Sequence, residues 1–227
     1  EYYRYIVYVS PTQFDTTITA TLTDSSTTIS VSDYSVYQYC EAAITSDESD
    51  ELYAVKDLCE AVLVYGYYAE IYAGEENSTL PGNLTTILGS DWLTTNDVVT
   101  WDNPEIEAIS SDPDVTKYLA LDGNGIYVIF EVTDTASIYT VNGETLEVQY
   151  DNGTYYIEYR VPAKEMNRSF SVFRDGEVYT TYSVYTYVKH IIDTGVSAEY
   201  SITEDAINLC KAIYNYGEAA SDFTGWR

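Results

Sequence analysis

Tyr34-Ser35-Val36-Tyr37, near the start of the chain, returns as Tyr182-Ser183-Val184-Tyr185 towards its end. Beyond it, Leu58-Cys59-Glu60-Ala61, closing on Tyr65-Gly66, returns as Leu209-Cys210-Lys211-Ala212, closing on Tyr216-Gly217. Upstream, Tyr2-Tyr3-Arg4-Tyr5-Ile6 up to Pro11 aligns with Tyr155-Tyr156-Ile157-Glu158-Tyr159 up to Pro162. A duplicated unit without a conspicuous catalytic motif reads as a building block, and overlooking the repeat would misassign the fold.

Working outward, residues 2–9 place Tyr3, Tyr5, Val7 and Val9 on one face and Tyr2, Arg4, Ile6 and Tyr8 on the other, which predicts a strand covered on both sides. Residues 16–22 and 27–31 read as two more strands around the turn Asp24-Ser25-Ser26. The period then changes. Val36, Tyr39, Cys40, Ala43 and Ile44 recur at helical spacing behind a capping box of Ser35 and Gln38. The second copy keeps that stripe as Val184, Tyr187, Val188, Ile191 and Ile192. A second helix carries Val55, Leu58, Val62, Tyr65, Ala69 and Tyr72, matched by Ala206, Leu209, Ile213, Tyr216 and Ala220 behind a capping box of Ser201 and Glu204. Gly66 and Gly217 fall mid-helix, where glycine costs about 1 kcal/mol relative to alanine, so close packing is expected at both.

The expected class is α+β, with two related units that each pack an antiparallel sheet, sandwich-like in the second and built there from a β-meander, against a helical hairpin. The first unit spans 1–73, a connector spans 74–97, and the second unit spans 98–227. Stretch 98–150 has no counterpart in the first copy. It holds strand-like runs at 126–133, 138–141 and 144–150, the last after the hairpin signal Asn142-Gly143. Asp151-Asn152-Gly153 and Asp175-Gly176 make the next turns. The second unit therefore has front strands from 98–150 and back strands from 154–182, whereas the first has back strands alone. A sheet of two or three strands with one apolar face uncovered is marginal, and its open edge invites pairing.

Ten basic against 37 acidic residues give a net charge of −27, which repels nucleic-acid phosphates and anionic lipid heads. No apolar run approaches the roughly 20 residues that span a bilayer, so membrane insertion is not expected. The 26 tyrosines suit half-buried strand faces, wet interfaces and sugar stacking alike. The chain opens on Glu1 rather than Met, the reading expected of a mature product or an excised segment.

Cys40, Cys59 and Cys210 leave an odd cysteine. They read either as small core residues or, for Cys40 and Cys59, as a bridge across a helical hairpin. No Cys/His grouping points to a metal, and no cofactor motif is present. The lone histidine, His190, stands beside Lys189 and repeats Ala42, which favours a surface role over general base catalysis. With so many carboxylates, a pair at glycosidase spacing arises by chance and says nothing specific. Four Asn-x-Ser/Thr triplets, at Asn77, Asn83, Asn152 and Asn167, are glycosylation candidates.

Tyr155-Tyr156-Ile157-Glu158, Pro162-Ala163-Lys164-Glu165, Thr181-Tyr182-Ser183-Val184-Tyr185 and the stretch Leu209 to Ala220 together resemble a module common in large secreted or cell-surface proteins of anaerobic gut bacteria. In that module a strand block precedes a helical hairpin ending in a Tyr-Gly-Ala-Ala-like segment. The resemblance implies an extracellular location and modular construction, and no catalytic residues come with it. The expected function is a non-enzymatic structural subunit that assembles with copies of itself into a surface filament or layer. The assembly strand would be Tyr2, Tyr3, Tyr5, Ile6, Val7, Tyr8 and Val9. The alternative is an adhesion or carbohydrate-binding module that meets glycans through exposed Tyr and Trp92, Trp101 or Trp226.

Overall fold

A computed structural model of the chain describes residues 7–23, 28–46, 53–74, 80–90, 92, 115, 117–122 and 125–223. In chain order its elements begin with β1 (Ile18–Thr23), β2 (Thr28–Tyr34), α1 (Val36–Thr45), α2 (Tyr53–Ala73) and α3 (Leu80–Leu88). The second half adds β3 (Lys117–Asp122), β4 (Gly125–Glu131), β5 (Tyr139–Val141), β6 (Glu144–Leu146), β7 (Gln149–Asp151) and β8 (Thr154–Arg160). It closes with β9 (Phe170–Arg174), β10 (Glu177–Tyr182), α4 (Val184–Thr194) and α5 (Glu204–Asp222). The protein is α+β, with antiparallel sheets and helical hairpins.

The duplication is visible atom by atom. Pro11–Gln13 and Ala163–Glu165 each form a single 3-10 turn. The carbonyl of the residue after that turn accepts a hydrogen bond from the first tyrosine of the next helix. It is Phe14 from the Tyr37 N–H at 2.8 Å in one copy, and Met166 from the Tyr185 N–H at 3.3 Å in the other. The pair at the base of each ribbon is Ile18 opposite Tyr34 in the first copy and Phe170 opposite Tyr182 in the second. Ser35 and Gln38 complete a capping box at α1, while Ser183 turns its hydroxyl to the Met166 carbonyl at 3.4 Å instead.

The mid-helix glycines let the long helix of each unit lie against its own turn. A Cβ on Gly66 would sit 2.6 Å from Phe14 Cδ2 and 3.2 Å from the Pro11 carbonyl oxygen. A Cβ on Gly217 would sit 2.7 Å from Tyr185 Oη and 3.1 Å from Met166 Cβ. Both approaches are closer than packed carbon atoms tolerate.

α2 and α5 then pack the two units together. The equivalent tyrosines Tyr65 and Tyr216 stack with ring centroids 5.4 Å apart and planes 12° apart. Arg160 places its guanidinium carbon 3.9 Å from the ring centroid of Tyr8, its counterpart in the first copy. The equivalent long helices thus face each other through equivalent tyrosines.

In the second unit the four-stranded sheets β3-β4-β8-β7 and β10-β9-β5-β6 face each other. Alternate residues point inward, so Ile126, Val128 and Phe130 on β4 are buried while Tyr127 and Ile129 are half-buried. Phe130 and Tyr159 of the first sheet meet Phe170 of the second at 6.4 and 5.0 Å between centroids. Asn142-Gly143, Asn152-Gly153 and Asp175-Gly176 all hold positive φ at both positions, the backbone of type I′ hairpins.

Several expectations need correction. The run 144–150 is two strands in different sheets, because β6 pairs with β5 and β7 pairs with β8. Front and back do not divide at residue 150. β8 belongs with β3, β4 and β7, and β5 and β6 cross to β9 and β10, so the second unit is a sandwich of two sheets whose strands are shared out differently along the chain. The connector 74–97 contains α3, anchored by buried Leu84. At α5 the cap is Thr203, whose side chain accepts from the Ala206 N–H at 3.2 Å, because Ser201 is turned away at φ +56°.

Candidate assembly surface

Ile18 and Tyr34 hold the positions that Phe170 and Tyr182 hold in the second copy, yet their surroundings differ. Phe170 and Tyr182 are 7% and 6% exposed, covered by Phe130 of β4 and Tyr159 of β8. Tyr34 is 49% exposed and Ile18 is only half-buried. Further out, Leu22 and Ile29 face each other across the β1–β2 ribbon, each 59% exposed. The other side of the ribbon is threonine and serine, with Thr21 and Ser30 hydroxyls 3.1 Å apart. The two-stranded sheet has no third strand among the described residues.

The expected assembly strand at 2–9 is only partly visible. Glu1–Ile6 lie outside the described residues, which takes in Tyr2, Tyr3, Tyr5 and Ile6. Val7, Tyr8 and Val9 are irregular rather than extended in a sheet, with Val7 and Tyr8 exposed and Val9 packed against the core. The reason is local. Tyr8 is held by Arg160, and Val9 leads at once into the 3-10 turn at Pro11. These residues border a groove of about 520 Å³ where the two units meet, lined also by Phe14, Tyr65, Met166 and Tyr216.

Cys40 on α1 and Cys59 on α2 are both free and both buried, and their thiols hydrogen bond to each other. That bond, together with burial, raises Cys40 above the usual thiol range, while the proton offered by Cys40 lowers Cys59. Cys210 stands apart, its thiol pushed up to about 12 by burial.

Among the described residues no group of three or more His, Cys, Asp and Glu comes together as metal ligands would. Asp134 and Asp175 share one hydroxyl, that of Ser137, 2.7 Å from one and 2.6 Å from the other. Hydrogen bonds from Ser137, then from the backbone N–H groups of Ala136 and Ile138, hold both carboxyls below their usual range. Neither is poised to carry a proton at neutral pH, as a general acid must. They act as a clasp between the segment before β5 and the β9–β10 turn. His190 is exposed on α4.

Trp92 cannot serve as a sugar platform. It is 4% exposed, with its ring edge-on to Tyr67 at 4.9 Å and its indole N–H donating to Thr85 Oγ1 at 3.2 Å. Trp101 and Trp226 lie outside the described residues, as does Asn77. Asn83 falls within α3 rather than in an open connector, and Asn152 is exposed in the left-handed position of its hairpin. Asn167 gives its side-chain nitrogen, the atom a glycosyl transfer would modify, to Glu218 Oε1 at 3.3 Å. The segment-to-sheet allocation and the α3 helix escaped sequence reading. The bulge-free heptapeptide of β8 looks the same in either sheet, and the Pro81-Gly82-Asn83 run reads like any Gly/Pro-rich loop.

No helix among the described residues is long and apolar enough to cross a membrane. The class defined by this geometry is an α+β protein of two related, unequally covered units. Comparison with protein-family models, with curated proteins and with solved structures finds no significant match.

Proposed function

We propose that the chain is a non-enzymatic extracellular structural protein that assembles with copies of itself, the β1–β2 ribbon of one copy seating on an exposed sheet edge of the next. The observation that carries this reading is the pair Ile18/Tyr34, left open where its equivalents Phe170/Tyr182 lie beneath a second sheet. In the second copy the equivalent position is covered by β4 and β8 of the same chain, which supports β-structure as its cover in the first. Charge favours the same occupant. On a chain of net charge −27, the strands of β1 and β2 carry a single ionisable carboxylate, Asp33, so two copies meet there with little repulsion. Neither strand carries the lysine or proline that ordinarily blocks edge pairing.

Magnitudes set the style of contact. Burying Leu22 and Ile29 is worth about 2–4 kcal/mol per copy, less than the association cost of roughly 4–15 kcal/mol. Backbone hydrogen bonds along the edge must add to it, as in strand addition. A ribbon meeting a different surface on its neighbour is a head-to-tail contact, and such contacts propagate into filaments or layers. We place the assembly segment at β1–β2, where the apolar pair Leu22 and Ile29 lies open.

Sedimentation velocity and negative-stain microscopy of the full chain beside a Leu22→Lys/Ile29→Lys variant test the reading. Wild-type protein is expected to form large particles, and the variant to remain monomeric with an unchanged far-UV spectrum. A monomeric wild type that binds glycans, or a variant that assembles to the same size, would overturn it.

A further inference from the structure

The helical hairpins of the two units differ at one contact. In the second unit, where α4 lies on α5, Val188 and Cys210 meet the positions that Cys40 and Cys59 hold where α1 lies on α2. Val188 and Cys210 are 0% and 6% exposed, Cys40 and Cys59 2% and 4%. Packing requires only a small apolar residue at this point, as Val188 demonstrates. The first unit has a second cysteine there instead, and its thiol touches that of Cys59.

The difference follows the missing sheet. The second unit covers one face of its ribbon with a second sheet, burying Phe170, Val172 and Tyr182. The first unit has a bare ribbon and correspondingly less core, and domains short of core are the ones that use cross-links.

We propose that Cys40 and Cys59 form a disulfide that fastens α1 to α2 in the first unit. The oxidant is a small or protein disulfide of an oxidising compartment. The Cys59 thiolate attacks one sulfur of that disulfide, forming a mixed disulfide and releasing one thiolate. Cys40 then loses its proton and its sulfur attacks that of Cys59, releasing the second thiolate. The two protein thiols lose two electrons and two protons, and the oxidant is reduced to two thiols. Because both sulfurs are buried in the finished fold, the exchange belongs to the stage at which the hairpin closes.

The test uses the full chain, refolded in a buffer of reduced and oxidised glutathione, then denatured and alkylated. Intact mass is expected to show one alkylated thiol, at Cys210, and peptide mapping a Cys40–Cys59 link. Adding dithiothreitol should lower Tm by about 5–10 °C, given a loop of this length and a protein of this size. Cys40→Val, which installs the second unit's own residue, should leave two alkylated thiols and a Tm indifferent to dithiothreitol. Cys210→Ser should keep the link and the shift. Three alkylated thiols in the wild type, a link that includes Cys210, or a wild-type Tm unmoved by dithiothreitol would overturn the assignment. It stands independently of whether the ribbon mediates assembly.

Discussion

Tyr185 brings its hydroxyl into the interior, 2.8 Å from the Tyr214 carbonyl oxygen and 3.0 Å from Glu218 Oε1. Burial foremost, then the Glu218 charge, raises its ionisation well above the ordinary value of 10.0. Burial does the same to Tyr182 and Tyr216. In the unfolded chain these phenols lose protons from about pH 10 upward, while in the fold they hold them. The stability they contribute is therefore complete below pH 10 and lost as pH rises above it, each phenol adding about 1.4 kcal/mol per pH unit to the slope. Raising pH while following phenolate absorbance and far-UV circular dichroism together should show a fraction of tyrosines ionising only as the helices melt. Complete ionisation near pH 10 with the dichroism intact would contradict the packing described. Sequence reading could see that tyrosine was abundant. It could not separate Tyr182 from Tyr34, because the two hold equivalent places in the repeat and differ in what lies over them.

At the scale of elements, close packing at Gly66 and Gly217 was legible from the repeat alone, though not the 3-10 segment that Gly66 packs against. A costly glycine kept at one position in both copies implies a close approach, which Phe14 and the Pro11 carbonyl supply at Gly66 and Tyr185 and Met166 supply at Gly217. Alanine should gain about 1 kcal/mol in helix propensity and lose about 1–3 kcal/mol to overpacking. Gly217→Ala should be net destabilising, because Tyr185 Oη cannot withdraw without giving up both of its hydrogen bonds. Gly66→Ala meets the Phe14 ring and the Pro11 carbonyl and should cost as much. Denaturant midpoints for the two variants check this, and unchanged or raised midpoints would count against close packing as the reason for the glycines. Hairpin turns were equally legible, since Asn-Gly and Asp-Gly dictate their own backbone. Sheet membership was not. β6 and β7 are separated by Glu147 and Val148 only, and an alternating run does not reveal that its two halves pair with different partners.

For the whole molecule, the unequal duplication is the organising fact. One unit carries its ribbon beneath a second sheet, and the other carries an equivalent ribbon in the open. The two join through matched faces at α2 and α5. The imbalance could be read from the sequence because 98–150 has no counterpart in the first copy. Its location on β1–β2 needed the structure, since only burial separates Ile18 and Tyr34 from Phe170 and Tyr182. Hydrogen–deuterium exchange on dispersed and assembled protein puts that comparison directly to the test. The account predicts that assembly slows exchange in residues 18–34 at least about tenfold, while residues 170–182, already covered, stay as they were. Exchange in 18–34 that is equally fast in monomer and assembly would contradict it.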